Sequence, residues 1–160
     1  MLDKTALKND LQEFLETRFT AEEAIDEFTN IYDTYATAGV TSLGNTVMTT
    51  MMAGLKSALS PLPTLRTAAA TAALFGAGIL AYWTGGILVP VTPAQTAAIV
   101  ITPPVAATTT AAILAVATGA KSAEDAATSF ANALDTATKT TVIQVTLNTA
   151  PPSTATTIFT

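Results

Sequence analysis

In the first part of the chain, apolar residues recur every three to four positions, the spacing that places side chains on one face of a helix. This pattern predicts a first helix over residues 4–18. A second helix is predicted from Thr20 to about Gly39, because Thr20 and Glu23 have the spacing of a capping box and glycine commonly follows a last helical turn. A third helix is predicted over residues 41–59, with an apolar stripe of Val47, Met48, Met51, Met52, Leu55 and Leu59.

The middle of the chain, from Thr67 to Ala120, contains no Asp, Glu, Lys or Arg. Here we predict an alanine-rich helix over residues 64–83, an extended segment over 87–91, and a helix that starts with Thr102-Pro103-Pro104 and ends at Gly119. Two interpretations of residues 92–101 stay open. Thr92-Pro93 can begin a short helix, and Ile99 to Ile101 can form a strand.

The pattern changes again near the end of the chain. Residues 123–139 have the helical period, and we predict an amphipathic helix there. From Thr140 to Leu147 the pattern alternates and is rich in β-branched residues, which predicts a strand with Ile143, Val145 and Leu147 on one face. The following Pro/Thr-rich tail is predicted to be extended, and it ends near Ile158 and Phe159.

These elements predict a mainly α fold: a multi-helix bundle with short extended segments, a C-terminal β-strand and an extended tail. By composition the chain divides into an acidic helical part (1–59), a Pro-containing linker (60–66), an uncharged Ala/Thr-rich helical part (67–139), and a strand with its tail (140–160). A length of 160 residues suits one core rather than two. We therefore expect one compact domain.

The composition argues against several classes of function. A net charge of −5 and seven scattered basic residues are not typical of a nucleic-acid-binding protein. The chain has no Cys and no His, which removes disulfides, thiolate chemistry and the usual zinc sites. We therefore predict no cofactor, no metal and no nucleic-acid partner.

Candidate catalytic groups are also weak. Glu22, Glu23, Asp26 and Glu27 fall on the surface of a predicted helix, and the His that accompanies carboxylates in di-metal helical sites is missing. Ser57 and Ser122 each follow a lysine, but neither has a Ser-x-x-Lys spacing or a nucleophile-elbow sequence. We predict that the protein is not an enzyme and has no catalytic residues.

The low charge content points to a chain covered by other proteins. Only 12% of the residues are charged, whereas about a quarter is usual and interspersed charge keeps free monomers soluble. We expect a multi-copy structural or assembly subunit whose predicted strand extends a neighbour's sheet and whose tail, 151–160, docks on an adjacent subunit. The residues predicted to bind the partner are Ile143, Val145, Leu147, Ile158 and Phe159.

Residues 68–89 support an alternative function. They carry no charge, they are numerous enough to cross a bilayer, and Tyr82-Trp83 resembles an interfacial aromatic pair. The alternative is a small membrane-inserting protein of the holin type. Against it, the span is mostly Ala, Gly and Thr, and it contains Gly85-Gly86. A third hypothesis is a soluble helical adaptor that binds its partner through residues 1–59.

The chain as a whole resembles small virion proteins of large tailed bacteriophages. The resemblance is carried by the helical start Leu2-Asp-Lys-Thr-Ala-Leu-Lys8, the uncharged Ala/Thr middle, the helix Phe130-Ala-Asn-Ala-Leu-Asp-Thr-Ala-Thr-Lys139 and the Pro-Pro tail. Proteins of this kind occur among tail, baseplate and neck components. The resemblance implies a non-enzymatic, multi-copy structural protein that is assembled in the host cytoplasm and located in the virion, and it assigns no binding residue.

Overall fold

The structure is a computed structural model and describes residues 2–64, 67–91, 99–147 and 153–160. It confirms the mainly α fold. The helices are α1 (Lys4–Glu16), α2 (Ala21–Thr37), α3 (Met52–Leu59), α4 (Ala68–Trp83), α5 (Ala106–Gly119) and α6 (Ala123–Lys139). The strands are β1 (Thr46–Thr49), β2 (Ile87–Val89), β3 (Ile99–Thr102), β4 (Val142–Leu147) and β5 (Ser153–Thr157), and a short 3-10 helix, Leu62–Thr64, follows α3.

The six helices follow one another around a closed ring. Each helix packs against the next one in the chain, and α6 packs against α1. In this cyclic order the α1–α2 pair lies across the ring from the α4–α5 pair. Buried side chains from residues 1–59, 67–139 and 140–160 form one hydrophobic cluster, so these parts of the chain share a core.

Aromatic side chains fill the centre of the ring. Phe28 of α2 stacks on Phe130 of α6 with 5.6 Å between ring centroids, and Phe75 of α4 meets both rings edge-on at 4.8 and 5.4 Å. Such pairs add about 0.5–1.5 kcal/mol each beyond the burial of their surface. Because the three rings come from three different helices, their contacts hold opposite sides of the ring together.

Polar groups within the core are paired. The Trp83 indole N–H donates to the Tyr32 hydroxyl at 3.0 Å, and that hydroxyl lies 3.0 Å from Thr138 Oγ1. Burial raises the pKa of Tyr32 to about 12. Within the described part of the chain, every buried side-chain nitrogen and oxygen has a hydrogen-bond partner. These bonds satisfy the polar edges of the aromatic cluster and fix its packing.

Two small antiparallel sheets complete the fold. One pairs β1 with β2, and the other has the order β3-β4-β5. In the second sheet Ile99 lies opposite Val145, and Ile143 lies opposite both Ile101 and Thr157. The strand interpretation of residues 99–101 is therefore confirmed, whereas the helix considered for residues 92–98 falls outside the described residues.

The predicted helix over residues 41–59 is wrong in its first half. Only Met52–Leu59 is helical, and residues 46–49 form β1. A turn precedes β1, in which Gly44 has φ +85° and the Thr41 hydroxyl accepts hydrogen bonds from the backbone N–H of Leu43 and Asn45. Local side-chain bonds of this kind compete with a helix, and the threonines of this stretch fit a strand well.

Most other elements match their predictions. α1, α2, α4, α5 and α6 begin and end within four residues of the predicted bounds, and residues 87–89 and 142–147 are strands. The capping box of α2 is present: the Glu23 N–H donates to Thr20 Oγ1, and the Thr20 N–H donates to Glu23 Oε2 at 2.8 Å. The linker contains the 3-10 helix, and its residues 65–66 lie outside the described residues.

Candidate protein-interaction surfaces

The residues predicted to bind a partner on the C-terminal strand lie inside this chain's own fold. Ile143 and Val145 are fully buried, and Leu147 is half-buried. β4 is the central strand of its sheet, with β3 on one edge and β5 on the other. Since both hydrogen-bonding edges are occupied, β4 cannot extend a neighbour's sheet, and this prediction is corrected.

The tail also docks on its own chain rather than on a neighbour. Phe159 is 1% exposed and packs against Trp83 with 5.0 Å between ring centroids. The Thr160 N–H donates to the Val40 carbonyl at 3.1 Å, and the Leu2 N–H donates to the Thr160 carbonyl at 2.9 Å. Ile158 remains 45% exposed. The described tail residues therefore bring the two ends of the chain together, and residues 148–152 fall outside the described part.

An exposed apolar surface lies on the small β1–β2 sheet. Side chains alternate along each strand: Val47 and Leu88 point inward and pack with the core, whereas Met48, Ile87 and Val89 point outward. The outward side chains are 68%, 51% and 39% exposed, respectively. We call Met48, Ile87 and Val89 the β1–β2 face. Leu43 and Met51 flank it and are exposed to a similar degree.

The sequence interpretation placed Met48 and Met51 in a helical core stripe and missed this surface. The alternation from Thr46 to Met48 is too short to be separated from a helical pattern by periodicity alone. The pairing that creates the face joins Thr46 to Val89 and Val47 to Leu88 across about forty residues of chain, with an irregularity before Thr49. A sequence signal for a contact of this range is absent.

Charge is unevenly distributed around the ring. Nine of the twelve carboxylates lie within residues 1–37, with three of the seven basic residues. The α4–α5 pair carries no Asp, Glu, Lys or Arg, and its exposed positions are mostly small. They include Ala69, Ala73, Ala77 and Leu80 of α4 and Ala107, Ala111 and Thr118 of α5. The carboxylates are thus concentrated in the N-terminal helices, whereas α4 and α5 carry no formal charge.

A groove of about 820 Å³ runs between α5 and α6. Its walls carry small and neutral polar side chains such as Thr108, Asn132 and Thr136, and Lys121 and Asp125 lie among its lining residues. Both of these charged residues are exposed. Most of its lining surface is apolar, from side chains such as Val105, Ala112 and Val116, and its volume matches that of small-molecule sites.

Several carboxylates outside the groove have structural partners. Asp26 pairs with Lys56 at 2.7 Å, and the two Thr20 hydrogen bonds hold the pKa of Glu23 below its ordinary value, with the Thr20 hydroxyl as the larger cause. Asp33 accepts hydrogen bonds from the hydroxyls of Tyr82 and Thr50. Residues 2–64, 67–91, 99–147 and 153–160 contain no group of three or more acidic side chains placed to hold a metal ion.

Two tyrosine–carboxylate pairs link helices across the ring. Tyr35 donates to Asp135, which also pairs with Lys139 at 2.9 Å, and Tyr82 donates to Asp33 at 2.7 Å. Burial, followed by the hydrogen bond to the carboxylate, raises the pKa of both tyrosines well above the ordinary value. Both hydroxyls therefore stay protonated at neutral pH and act as hydrogen-bond donors.

The uncharged helix α4 covers most of the span considered for a membrane. It has 16 residues and ends at Trp83. Of the helices in the described part of the chain, none combines the length and the apolar character needed to cross a bilayer.

Comparison of this chain with family models, with curated proteins and with solved structures finds no match.

Proposed function

We propose that this protein is a non-enzymatic structural subunit of a multi-protein particle and that its β1–β2 face is buried against protein in that particle. The observation that carries the proposal is that Met48, Ile87 and Val89 are all exposed on two paired strands, where the exposed Thr46 lies opposite Val89. Single exposed hydrophobic residues are common on protein surfaces, but a contiguous apolar patch marks an interaction site.

A two-stranded sheet supports this proposal for a second reason. Such a sheet is marginally stable in water unless its faces are covered. Val47 and Leu88 cover the inner face by packing with the core, and the outer face is open. Burying the exposed parts of Met48, Ile87 and Val89 would contribute about 3 kcal/mol in total, or roughly a hundredfold in affinity.

The absence of charge in the segments that form the face favours a protein partner over a charged ligand, and the nearby Asp33 is hydrogen-bonded to Thr50 and Tyr82. Residues 41–55 and 67–91, which include both strands and α4, contain no Asp, Glu, Lys or Arg. A partner surface can therefore cover the face without burying an unpaired charge, which would be costly. The resemblance to virion proteins of tailed bacteriophages supports a tail, baseplate or neck as the particle.

The proposal predicts that a charge on the face prevents incorporation into particles. Met48→Lys places an ammonium group in the proposed interface, and Val105→Lys is the matched control because Val105 is 67% exposed and lies outside the face. Each variant would be supplied to infected cells whose phage lacks its own copy. The amount of the chain in gradient-purified particles would then be measured by quantitative mass spectrometry.

We expect the native chain and the Val105→Lys variant to be present in the particles in several copies, at the same fixed ratio to the other particle proteins. Met48→Lys should be reduced at least tenfold, with an unchanged circular dichroism spectrum. The proposal is overturned if the native chain is absent from the particles, or if Met48→Lys is incorporated as well as Val105→Lys.

A further inference from the structure

We infer that a pocket between α1, α2, α4 and the 3-10 helix binds one aromatic side chain of a partner protein, and that the residues beside this side chain in the partner are basic. The pocket is separate from the β1–β2 face, and the inference goes beyond the structural role proposed above. Three features carry it: the apolar lining of the pocket, its size, and the unpaired carboxylates of the groove beside it.

The lining of the pocket is apolar and only partly covered. It includes Phe14 of α1, Ile25 and Phe28 of α2, Leu62 of the 3-10 helix and Phe75 of α4. Every described residue of the lining is apolar. Phe28 is buried, whereas Phe14, Ile25, Leu62 and Phe75 are each only half-buried. Four large side chains from four elements thus leave apolar surface exposed in one place, and such surface marks an interaction site.

The size of the pocket suits a single ring. Its volume is about 200 Å³. An apolar cavity of about 150 Å³ lined by Leu, Ile and Phe is large enough to bind benzene. Phe28 already meets Phe75 edge-on at 4.8 Å and lies 6.3 Å from Phe14 between ring centroids. An incoming ring therefore gains aromatic contacts as well as burial, and aromatic side chains in pockets of this kind carry much of the energy of protein interfaces.

The groove beside the pocket indicates the charge of the partner. It has a volume of about 480 Å³, shares Phe14 with the pocket, and is lined by Asp10, Glu13 and Glu27. None of these three carboxylates has an ion pair or a hydrogen bond with another described residue. No described Lys or Arg lines the groove, and Arg18, in the α1–α2 connection, lines neither the groove nor the pocket.

The shared wall connects the two sites. Because Phe14 borders both, a ring that enters the pocket places its neighbours in the partner chain next to the groove. Lys or Arg at those positions would pair with the carboxylates, whereas acidic neighbours would be repelled. Exposed ion pairs contribute little affinity each, so the ring supplies most of the binding energy and the charges supply orientation and a dependence on salt.

Two peptides that differ only in the ring test the inference: acetyl-KKFKK-amide and acetyl-KKAKK-amide. Their binding to the full-length native chain would be followed by heteronuclear NMR at about 0.05 M salt, where charges are weakly screened. We expect the phenylalanine peptide to bind at least tenfold more tightly than the alanine peptide, because burial of one ring supplies at least this factor. Equal dissociation constants, or no binding of either peptide, overturn the inference.

Ala24→Phe tests the pocket from the side of the protein. Ala24 is half-buried in the lining, so a ring at this position occupies the space of the ligand ring. Affinity for the phenylalanine peptide should fall at least tenfold. Ala69→Phe is the matched control, because Ala69 is exposed on α4 outside the pocket, and it should bind like the native chain. A folded Ala24→Phe chain with native affinity overturns the inference. If this variant does not fold, the two peptides on the native chain decide.

Glu27→Gln tests the charge of the partner. It should weaken binding of the phenylalanine peptide and reduce the dependence of binding on salt. Asp125→Asn is the control, because it also removes one negative charge but lies on α6, outside both the pocket and the groove. If the two variants bind alike, the groove does not select a basic partner and the inference is overturned.

Toluene distinguishes a protein partner from a small aromatic ligand, since it has the ring without the cations. It should bind at least tenfold more weakly than the phenylalanine peptide. Equal affinity would assign the pocket to a small aromatic molecule and overturn the inference. The proposed structural role is tested separately, because incorporation into particles is measured on Met48→Lys, which leaves this pocket unchanged.

Discussion

At the scale of single residues, Gly76 makes the tightest contact among the glycines of the described residues. A Cβ atom at this position would lie 2.1 Å from Thr110 Oγ1 and 2.8 Å from the Ala106 carbonyl oxygen of α5. The hydroxyl can rotate away, but the backbone carbonyl cannot. Ala68, Ala72 and Gly76 recur every four residues, and small residues at this spacing let another backbone approach a helix closely. The repeat could not identify α5 as that neighbour, because it describes only one of the two surfaces.

Gly76→Ala should destabilise the protein. Alanine gains about 1 kcal/mol over glycine within a helix, but overpacking a tight contact costs about 1–3 kcal/mol, so we expect a net loss of about 1 kcal/mol. Gly119→Ala is the matched control, because a Cβ at Gly119 meets nothing within 4 Å. Urea unfolding followed by circular dichroism would measure both. Equal stability of the two variants would show that α4 and α5 are not in contact at Gly76.

At the scale of elements, α2 depends on its capping box. Thr20→Ala removes the side-chain acceptor for the Glu23 N–H, and N-cap substitutions of this type cost about 1 kcal/mol. The Thr20 hydroxyl also lowers the pKa of Glu23 in the folded state. A carboxylate with a lowered folded pKa stabilises the protein above its unfolded pKa, and this contribution disappears as the pH falls through the folded pKa.

The difference in unfolding free energy between native and Thr20→Ala chains should therefore be larger at pH 7 than in acid below the ordinary glutamate range. Urea unfolding at several pH values would measure it. Thr5→Ala is the control, since Thr5 is exposed within the first turn of α1 and its hydroxyl does not cap Glu23. A difference that stays constant down to pH 3 would mean that the bond between the Thr20 hydroxyl and Glu23 is not formed in solution.

The same scale shows what the sequence could predict and why the rest could not be predicted. Helices with a local signal were predicted correctly. The two residues of the α2 capping box lie within a few positions of each other, and so do successive residues of the apolar stripe of α6. β1 was not predicted, because the apolar residues from Val47 onward have helical spacing. The turn at Thr41 and Gly44, which ends three residues before Val47, leads into a strand instead. Ile143 and Val145 lie in the core rather than at an open sheet edge, because β4 pairs with β3 and β5, and no local pattern contains that pairing.

At the scale of the whole molecule, the two ends of the chain meet and pack against the same site in the core. Leu2, Gly39 and Phe159 meet at one point: a Cβ on Gly39 would lie 2.9 Å from Leu2 Cδ2 and 3.0 Å from Phe159 Cδ1. The missing side chain of Gly39 therefore makes room for both ends. The sequence predicted that the tail docks on an adjacent subunit. In the structure the apolar end of the tail instead completes the core of its own chain.

The docked tail makes a prediction about the isolated chain. Phe159→Ala should lower the free energy of unfolding by about 3–4 kcal/mol, because it leaves a cavity beside Trp83. Ile158→Ala, next to it and 45% exposed, should cost less than about 1 kcal/mol. Thermal unfolding of the purified variants, together with Trp83 fluorescence, would measure both the stability and the environment of the one tryptophan.

Comparison of Phe159→Ala with Ile158→Ala distinguishes a tail that docks on its own chain from a tail that docks on a neighbouring subunit. If the tail completes this chain's own core, Phe159→Ala loses stability in dilute solution, and Trp83 becomes more accessible to solvent even in a monomer. If the tail belongs to a neighbour, Phe159→Ala unfolds like Ile158→Ala and is lost from particles instead. The first outcome removes Phe159 from the apolar side chains available for assembly, because it is then already buried within the subunit, and the β1–β2 face remains available.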